Sequence, residues 1–134
     1  MIRRIREFVV PLAPPVFAFE REIRDTPFRI LISVLLSSRT QDRVTMAASR
    51  RLFGRASTPR AMESLTVDEI ASLIRPVGFF RQKAANIAEI ARRVDRRGGV
   101  PDGYEELIEL PGIGPKSAKL VLALAFHVDA IAGD

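Results

Sequence analysis

The apolar residues of this chain recur at helical spacing over most of its length, and no stretch alternates apolar and polar residues as a half-buried strand does. That period restricts the chain to an all-α fold. Thr26-Pro27 gives the start signal of a first helix, with threonine as N-cap and proline in the first turn. Phe28, Ile30, Leu31, Ile32, Val34, Leu35 and Leu36 then cover nearly every side of it, so it should lie at the centre of the core. Val44, Ala47, Ala48 and Leu52 mark a helix over residues 42–53 stopped by Gly54, with Asp42 as its N-cap. Thr58-Pro59 starts a short helical turn. Thr66 and Glu69 have the spacing of a capping box before the apolar face Ile70, Leu73, Ile74 and Val77, which Gly78 should end. Ala84, Ile87, Ala88, Ala91 and Val94 continue the pattern to a stop at Gly98-Gly99. Asp102 and Glu105 can cap a short helix over residues 104–110. A strongly apolar helix then runs from Ala118 to Phe126. The first 25 residues suggest short helices over 2–10 and 16–24, separated by Pro11, Pro14 and Pro15.

Between the last two helices stands Leu110-Pro111-Gly112-Ile113-Gly114-Pro115-Lys116-Ser117-Ala118. Glycine tolerates positive φ and lets another group approach the backbone closely, while Pro115 suits the first turn of the helix it opens. Unpaired N–H groups and the partial positive charge of a helix start make such a turn an anion site, with phosphate as its natural ligand. Lys116 stands beside it.

Bulk chemistry narrows the partner. Twenty-one Lys and Arg against sixteen Asp and Glu leave a formal charge of +5, which suits a polyanion. With no cysteine, disulfides and thiolate metal sites within the chain are excluded. With one histidine, His127, a zinc site is not expected. The basic, then apolar N-terminus is too short and too interrupted by proline for a signal peptide. No run approaches the roughly 18 apolar residues of a membrane span, so the chain reads as cytoplasmic.

Helix, L-P-G-I-G-P-K-S-A, helix resembles the helix-hairpin-helix of endonuclease III-like DNA glycosylases, members of the HhH-GPD superfamily. Three further segments carry the resemblance in the same order. Leu35-Leu36-Ser37-Ser38-Arg39-Thr40-Gln41-Asp42-Arg43-Val44-Thr45 is similar to the family's first DNA-facing loop, L-L-S-x-[QR]-T-x-D-x-x-[VT]. Val77-Gly78-Phe79-Phe80-Arg81-Gln82-Lys83-Ala84 is similar to its G-[LFY]-[YF]-x-x-K-A segment. Ala130-Ile131-Ala132-Gly133-Asp134 is similar to the stretch that reaches the catalytic aspartate.

The resemblance implies a helical barrel of about six helices over residues 26–134, ending in a helix-hairpin-helix at about 104–126. Residues 1–25 would be an arm belonging to a second, largely missing domain. It also implies base-excision repair: a bifunctional DNA N-glycosylase/AP lyase that removes oxidised or damaged pyrimidines from duplex DNA. The nucleotide is flipped out of the stack, because its reacting atoms are otherwise buried. Lys116 takes the position of the lysine that attacks the sugar C1′, forms a Schiff base and leads to β-elimination. Asp134 takes that of the carboxylate assisting it. An amine attacks only when neutral, a form that a helix N-terminus, a basic neighbourhood and burial favour. The competing role for Lys116 is simple pairing with a phosphate.

The remaining DNA-binding positions follow the same correspondence. Gly112, Ile113 and Gly114 would form the backbone phosphate clamp, often completed in the family by a monovalent cation; otherwise the turn is an ordinary capped connection. Arg39 and Gln41 would fill the hole left by the flipped base, against the alternative of a solvated loop. Phe79 would be a wedge between bases, against the alternative of a core aromatic. Lys119 would contact phosphate or face solvent. His127 reads as a surface or capping residue, and Arg92, Arg93, Arg96 and Arg97 as a solvated helix end. Many members carry a [4Fe–4S] cluster on four cysteines beyond the aspartate, and those cysteines are not in this chain. The partner implied is double-stranded DNA, with no membrane, in a nucleoid-associated setting. The chain is otherwise monomeric, completed by a missing C-terminal segment or a partner chain. The alternative function is a non-catalytic helix-hairpin-helix DNA-binding module or an inactive fragment.

Overall fold

The computed structural model describes residues 26–38 and 42–127. The helices suggested within residues 1–25, and Arg39, Gln41 and Asp134, lie outside the described residues. Seven helices and no strand occur among the described residues: α1 (Pro27–Ser37), α2 (Asp42–Arg55), α3 (Pro59–Glu63), α4 (Val67–Ile74), α5 (Phe80–Arg97), α6 (Tyr104–Leu107) and α7 (Pro115–Phe126).

The helix with apolar residues on nearly every side is the central one. Phe28, Ile30 to Ile32 and Val34 to Leu36 of α1 are all buried, and α1 packs against α2, α5 and α7. The amphipathic helices close around it. α5 presents Ala84, Ile87, Ile90, Ala91 and Val94 to the core and carries α3 and α4 against its sides, while α2 packs on α4. Each side chain of this set removed from water contributes about 1.5–3 kcal/mol for the larger aliphatics, and together they hold the bundle.

Several boundaries depart from expectation, each for a local reason. α2 runs through Gly54 to Arg55, since one glycine costs a helix only about 1 kcal/mol relative to alanine and a Cβ there would meet nothing. Asp42 is the first residue of α2 and not its cap. Thr26 occupies the N-cap of α1, but its hydroxyl makes no capping bond. α4 stops at Ile74, four residues before Gly78: Pro76 follows, and Arg75 before it is already extended. Val77 is therefore buried from a turn instead of a helix. Gly103, with no side-chain capping bond, holds the N-cap of α6 in place of Asp102 with Glu105, and α6 ends at Leu107. The Thr66–Glu69 capping box forms as expected, with Thr66 N–H donating to Glu69 Oε1 at 2.8 Å and Glu69 N–H to Thr66 Oγ1 at 3.0 Å. Gly98 ends α5 in the left-handed region at φ 93°, its N–H donating to Val94 O.

Part of the charge at the arginine-rich end of α5 is offset by acids. Arg92 and Arg93 both donate to Glu89, and these hydrogen bonds, with the two positive charges, lower the Glu89 pKa to about 2. A folded-state pKa below the unfolded carboxylate value of about 4.3 adds stability above that value, and this is lost as pH falls toward 2. Glu89→Gln is accordingly expected to lower Tm slightly at pH 7, with the gap from wild type closing between pH about 4 and 2. Thermal melts across that range check it. A gap independent of pH would show that the pair does not contribute through charge.

Candidate nucleic-acid interface

Among the described residues, the connection between α6 and α7 leaves several backbone donors without a backbone acceptor. Ile113 N–H returns to Leu110 O at 3.1 Å and Ala118 N–H to Gly114 O at 2.8 Å. Within the described residues, no backbone acceptor takes the N–H groups of Gly112, Gly114, Lys116 or Ser117. These four donors lie in and just after the turn, at the positive end of the twelve-residue α7. The two glycines divide the work. Gly112 has φ 84°, and a Cβ on it would stand 2.6 Å from Asn86 Nδ2 and 2.7 Å from Leu35 Cδ1. Gly114 is extended at φ −96° and ψ −175°, where any residue is allowed, and a Cβ on it would meet nothing within 4 Å. One glycine keys the turn onto α1 and α5; the other leaves its outer side open.

Lys116 is exposed in the first turn of α7. Ile113 points its side chain into the core, leaving only its backbone to the surface. Lys119 is half-buried one turn further on, and His127 caps α7 in the left-handed region with its N–H donating to Leu122 O.

Phe79 is the N-cap of α5, left-handed at φ 57° and 62% exposed. The core aromatic of this segment is its neighbour Phe80, packed on the cluster beside buried Val77. A non-glycine residue in that backbone region is uncommon, and here the preceding chain is clamped. Arg51 of α2 donates from Nε to Leu73 O at 2.7 Å and from Nη2 to Arg75 O, closing the C-terminal end of α4 just before the turn.

Sequence reasoning assigned no role to the residues that bind these parts together. Lys83, 5% exposed, reaches from α5 to the end of α1 and donates from Nζ to Leu36 O at 3.2 Å and to Ser38 O. Asn86 accepts from Gln82 at 3.2 Å and abuts Gly112. Phe79, Lys83 and Asn86 follow one another at four and three residues on one side of α5, within about 10 Å along its axis. The end of α1, the Phe79 turn and the glycine turn are thus tied to two turns of one helix. The signal for Lys83 was available: it stands on the buried stripe Ile87, Ile90 and Val94, where a charge must find partners.

A model of the HhH-GPD superfamily of base excision DNA repair proteins matches residues 32–132. The chain belongs to that superfamily. It is 44% identical over 119 residues to endonuclease III of Thermotoga maritima, covering 87% of this chain and 56% of that protein. It is 32% identical over 114 residues to endonuclease III of Bacillus subtilis, covering 84% of this chain and 52% of that protein. The chain thus spans about half the length of these curated relatives. Among solved structures, a non-covalent endonuclease III–DNA complex matches with a TM-score of 0.75 and 38% identity over 81% of this chain and 52% of its own. A trapped covalent endonuclease III–DNA intermediate matches with a TM-score of 0.75 and 32% identity, over 89% and 62%. Both similarities agree with the all-α barrel fold.

Proposed function

We propose that this HhH-GPD chain is the lesion-processing part of a DNA N-glycosylase/AP lyase acting on damaged pyrimidines in double-stranded DNA. The observation that carries the reading is the set of unpartnered N–H groups around Gly112 and Gly114, with exposed Lys116 at the head of α7. The backbone donors fix a phosphate of the damaged strand. Lys116 Nζ then bonds to the sugar C1′ as the bond to the base breaks, and the base leaves with that electron pair. The nitrogen then loses a proton and its lone pair opens the sugar, the C1′–O4′ bond breaking and O4′ taking a proton, to give the Schiff base; removal of a C2′ proton from it expels the 3′ phosphate by β-elimination. Asp134 is the carboxylate assigned to deprotonate the lysine and to stabilise positive charge at the sugar.

In this reading the protein works at DNA, with the nucleoid in the cytoplasm. Among the described residues no helix is long and apolar enough to cross a membrane. A monovalent cation suits the turn, because within the described residues no backbone donor reaches the carbonyls of Pro111, Gly112 or Ile113. A [4Fe–4S] cluster does not suit this chain, which has no cysteine to ligate it. In the same reading, Arg39 and Gln41 take the gap left by the flipped base, Lys119 adds a phosphate contact, and Phe79 enters the stack.

Borohydride trapping on a duplex carrying an abasic site or an oxidised pyrimidine tests the reading. A covalent protein–DNA adduct is expected; its absence, with duplex binding retained, would leave a non-catalytic binding module. Phe79→Ala should cost little stability, within about 0.5 kcal/mol for an exposed site. It should weaken the preference for damaged over intact duplex by about 1–3 kcal/mol, the scale of one aromatic–base stack. Competition binding measures that preference, and an unchanged value rules out the wedge.

A further inference from the structure

The described arginines differ in what holds them, and two are set apart by an aromatic ring. Arg55, Arg60, Arg92, Arg93 and Arg97 are each paired with a carboxylate, from Glu69, Asp95, Glu89 or Glu106. Within the described residues, Arg75 and Arg81 pair with none. Both instead lie over the ring of Phe80, their guanidinium carbons 5.3 and 5.5 Å from its centroid. The aromatic face holds each planar cation without cancelling its charge.

Their position makes the lack of an acid notable. Arg81 occupies the first turn of the eighteen-residue α5, which has no acidic residue in that turn. A cation there opposes the helix dipole, so helix stability does not explain it. Between the two arginines in sequence stands Phe79, exposed and held in a left-handed turn. Two uncancelled guanidinium groups, a helix start and an exposed aromatic form a patch whose missing component is an anion from outside the chain. Planar guanidinium matches phosphate in a bidentate manner, and cations interleaved with an exposed aromatic suit a nucleic-acid strand better than an acidic peptide.

We propose that Arg75 and Arg81 are a phosphate-binding pair that grips the DNA backbone on either side of Phe79. The assignment rests on the DNA-processing reading above and adds a second backbone contact, carried by side chains, to the one made by the glycine turn.

The slope of log K against log salt for undamaged duplex tests it. Each phosphate contact contributes about 0.9 to that slope, so the variant with Arg75→Gln and Arg81→Gln is expected to be shallower by about 1.8 and weaker on all sequences alike. Arg75→Gln leaves the clamp from Arg51 in place, because that clamp grips the backbone carbonyl. Arg75→Lys with Arg81→Lys keeps both charges and should restore the slope. Arg92→Gln with Arg93→Gln removes as much charge from the other end of α5, where both guanidinium groups are held by Glu89, and should leave it unchanged. An unchanged slope in the glutamine pair overturns the proposal. So does an equal loss in the Arg92/Arg93 variant, a failure of the lysine pair to restore the slope, or preferential binding of poly-glutamate over duplex through the same two residues. Trapping that fails while the slope changes as expected removes the lyase reading and leaves this contact standing. Trapping that succeeds with an unchanged slope does the reverse.

Discussion

Lys116→Ala is expected to abolish borohydride trapping and to reduce strand incision by about four orders of magnitude or more, the scale on which loss of a covalent nucleophile acts. Duplex binding should survive, because the phosphate donors of the turn are backbone N–H groups that the substitution leaves in place. Stability should stay within about 0.5 kcal/mol: Lys116 is exposed, and alanine is the residue best suited to a helix interior. The combination separates the two roles open to this lysine. A phosphate-pairing lysine would lose affinity and salt dependence while leaving trapping detectable at saturating protein. A nucleophile would do the opposite. Residual trapping in the variant would mean that another amine forms the adduct, and Lys119, one turn along α7, is the first to substitute next.

The parts legible in the sequence were those in which one local pattern fixes one outcome. An all-round apolar run can only be central, and α1 is. A capping box at Thr66 and Glu69 forms wherever the chain permits its two reciprocal bonds, and they form here. The glycine turn was legible as a connection between two helices because glycine and proline act locally on the backbone. Features set by distant residues were not. The end of α4 depends on Pro76 and on Arg51 reaching across from α2, so Gly78 was a misleading stop. Phe79 and Phe80 are adjacent aromatics that sequence alone cannot rank; the left-handed turn turns the first outward and leaves the second against the core. The burial of Lys83 could be read from its place on the apolar stripe of α5, but its partners, more than forty residues away in α1 and its end, could not.

That coupling changes the meaning of the glycine pair. In isolation, Gly112 and Gly114 read as two equal relaxations of the backbone around one ligand. Their surroundings make them opposites. Gly112 faces inward, against Asn86 on α5 and the 2%-exposed Leu35 on α1, so it transmits the position of the core to the turn. Gly114 faces open space and can only matter to something that arrives there.

Gly112→Ala and Gly114→Ala should therefore fail in different assays. At Gly112, an alanine in the left-handed region costs about 1–2 kcal/mol. Its Cβ, 2.7 Å from a buried leucine methyl, adds the cost of overpacking, about 1–3 kcal/mol. The total of about 2–5 kcal/mol is a large share of the 5–15 kcal/mol that typically holds a domain together, and chemical denaturation should show it directly. At Gly114, the extended backbone accepts alanine without strain, so denaturation midpoints should match the wild type within about 0.5 kcal/mol. Its methyl group, however, adds bulk in open space next to the Gly114 N–H, so under the proposed phosphate contact duplex affinity should fall with no loss of fold. Equal stability losses at the two glycines would mean that the turn is only a structural connection. A stable Gly114→Ala protein that binds DNA as tightly as the wild type would place the phosphate elsewhere.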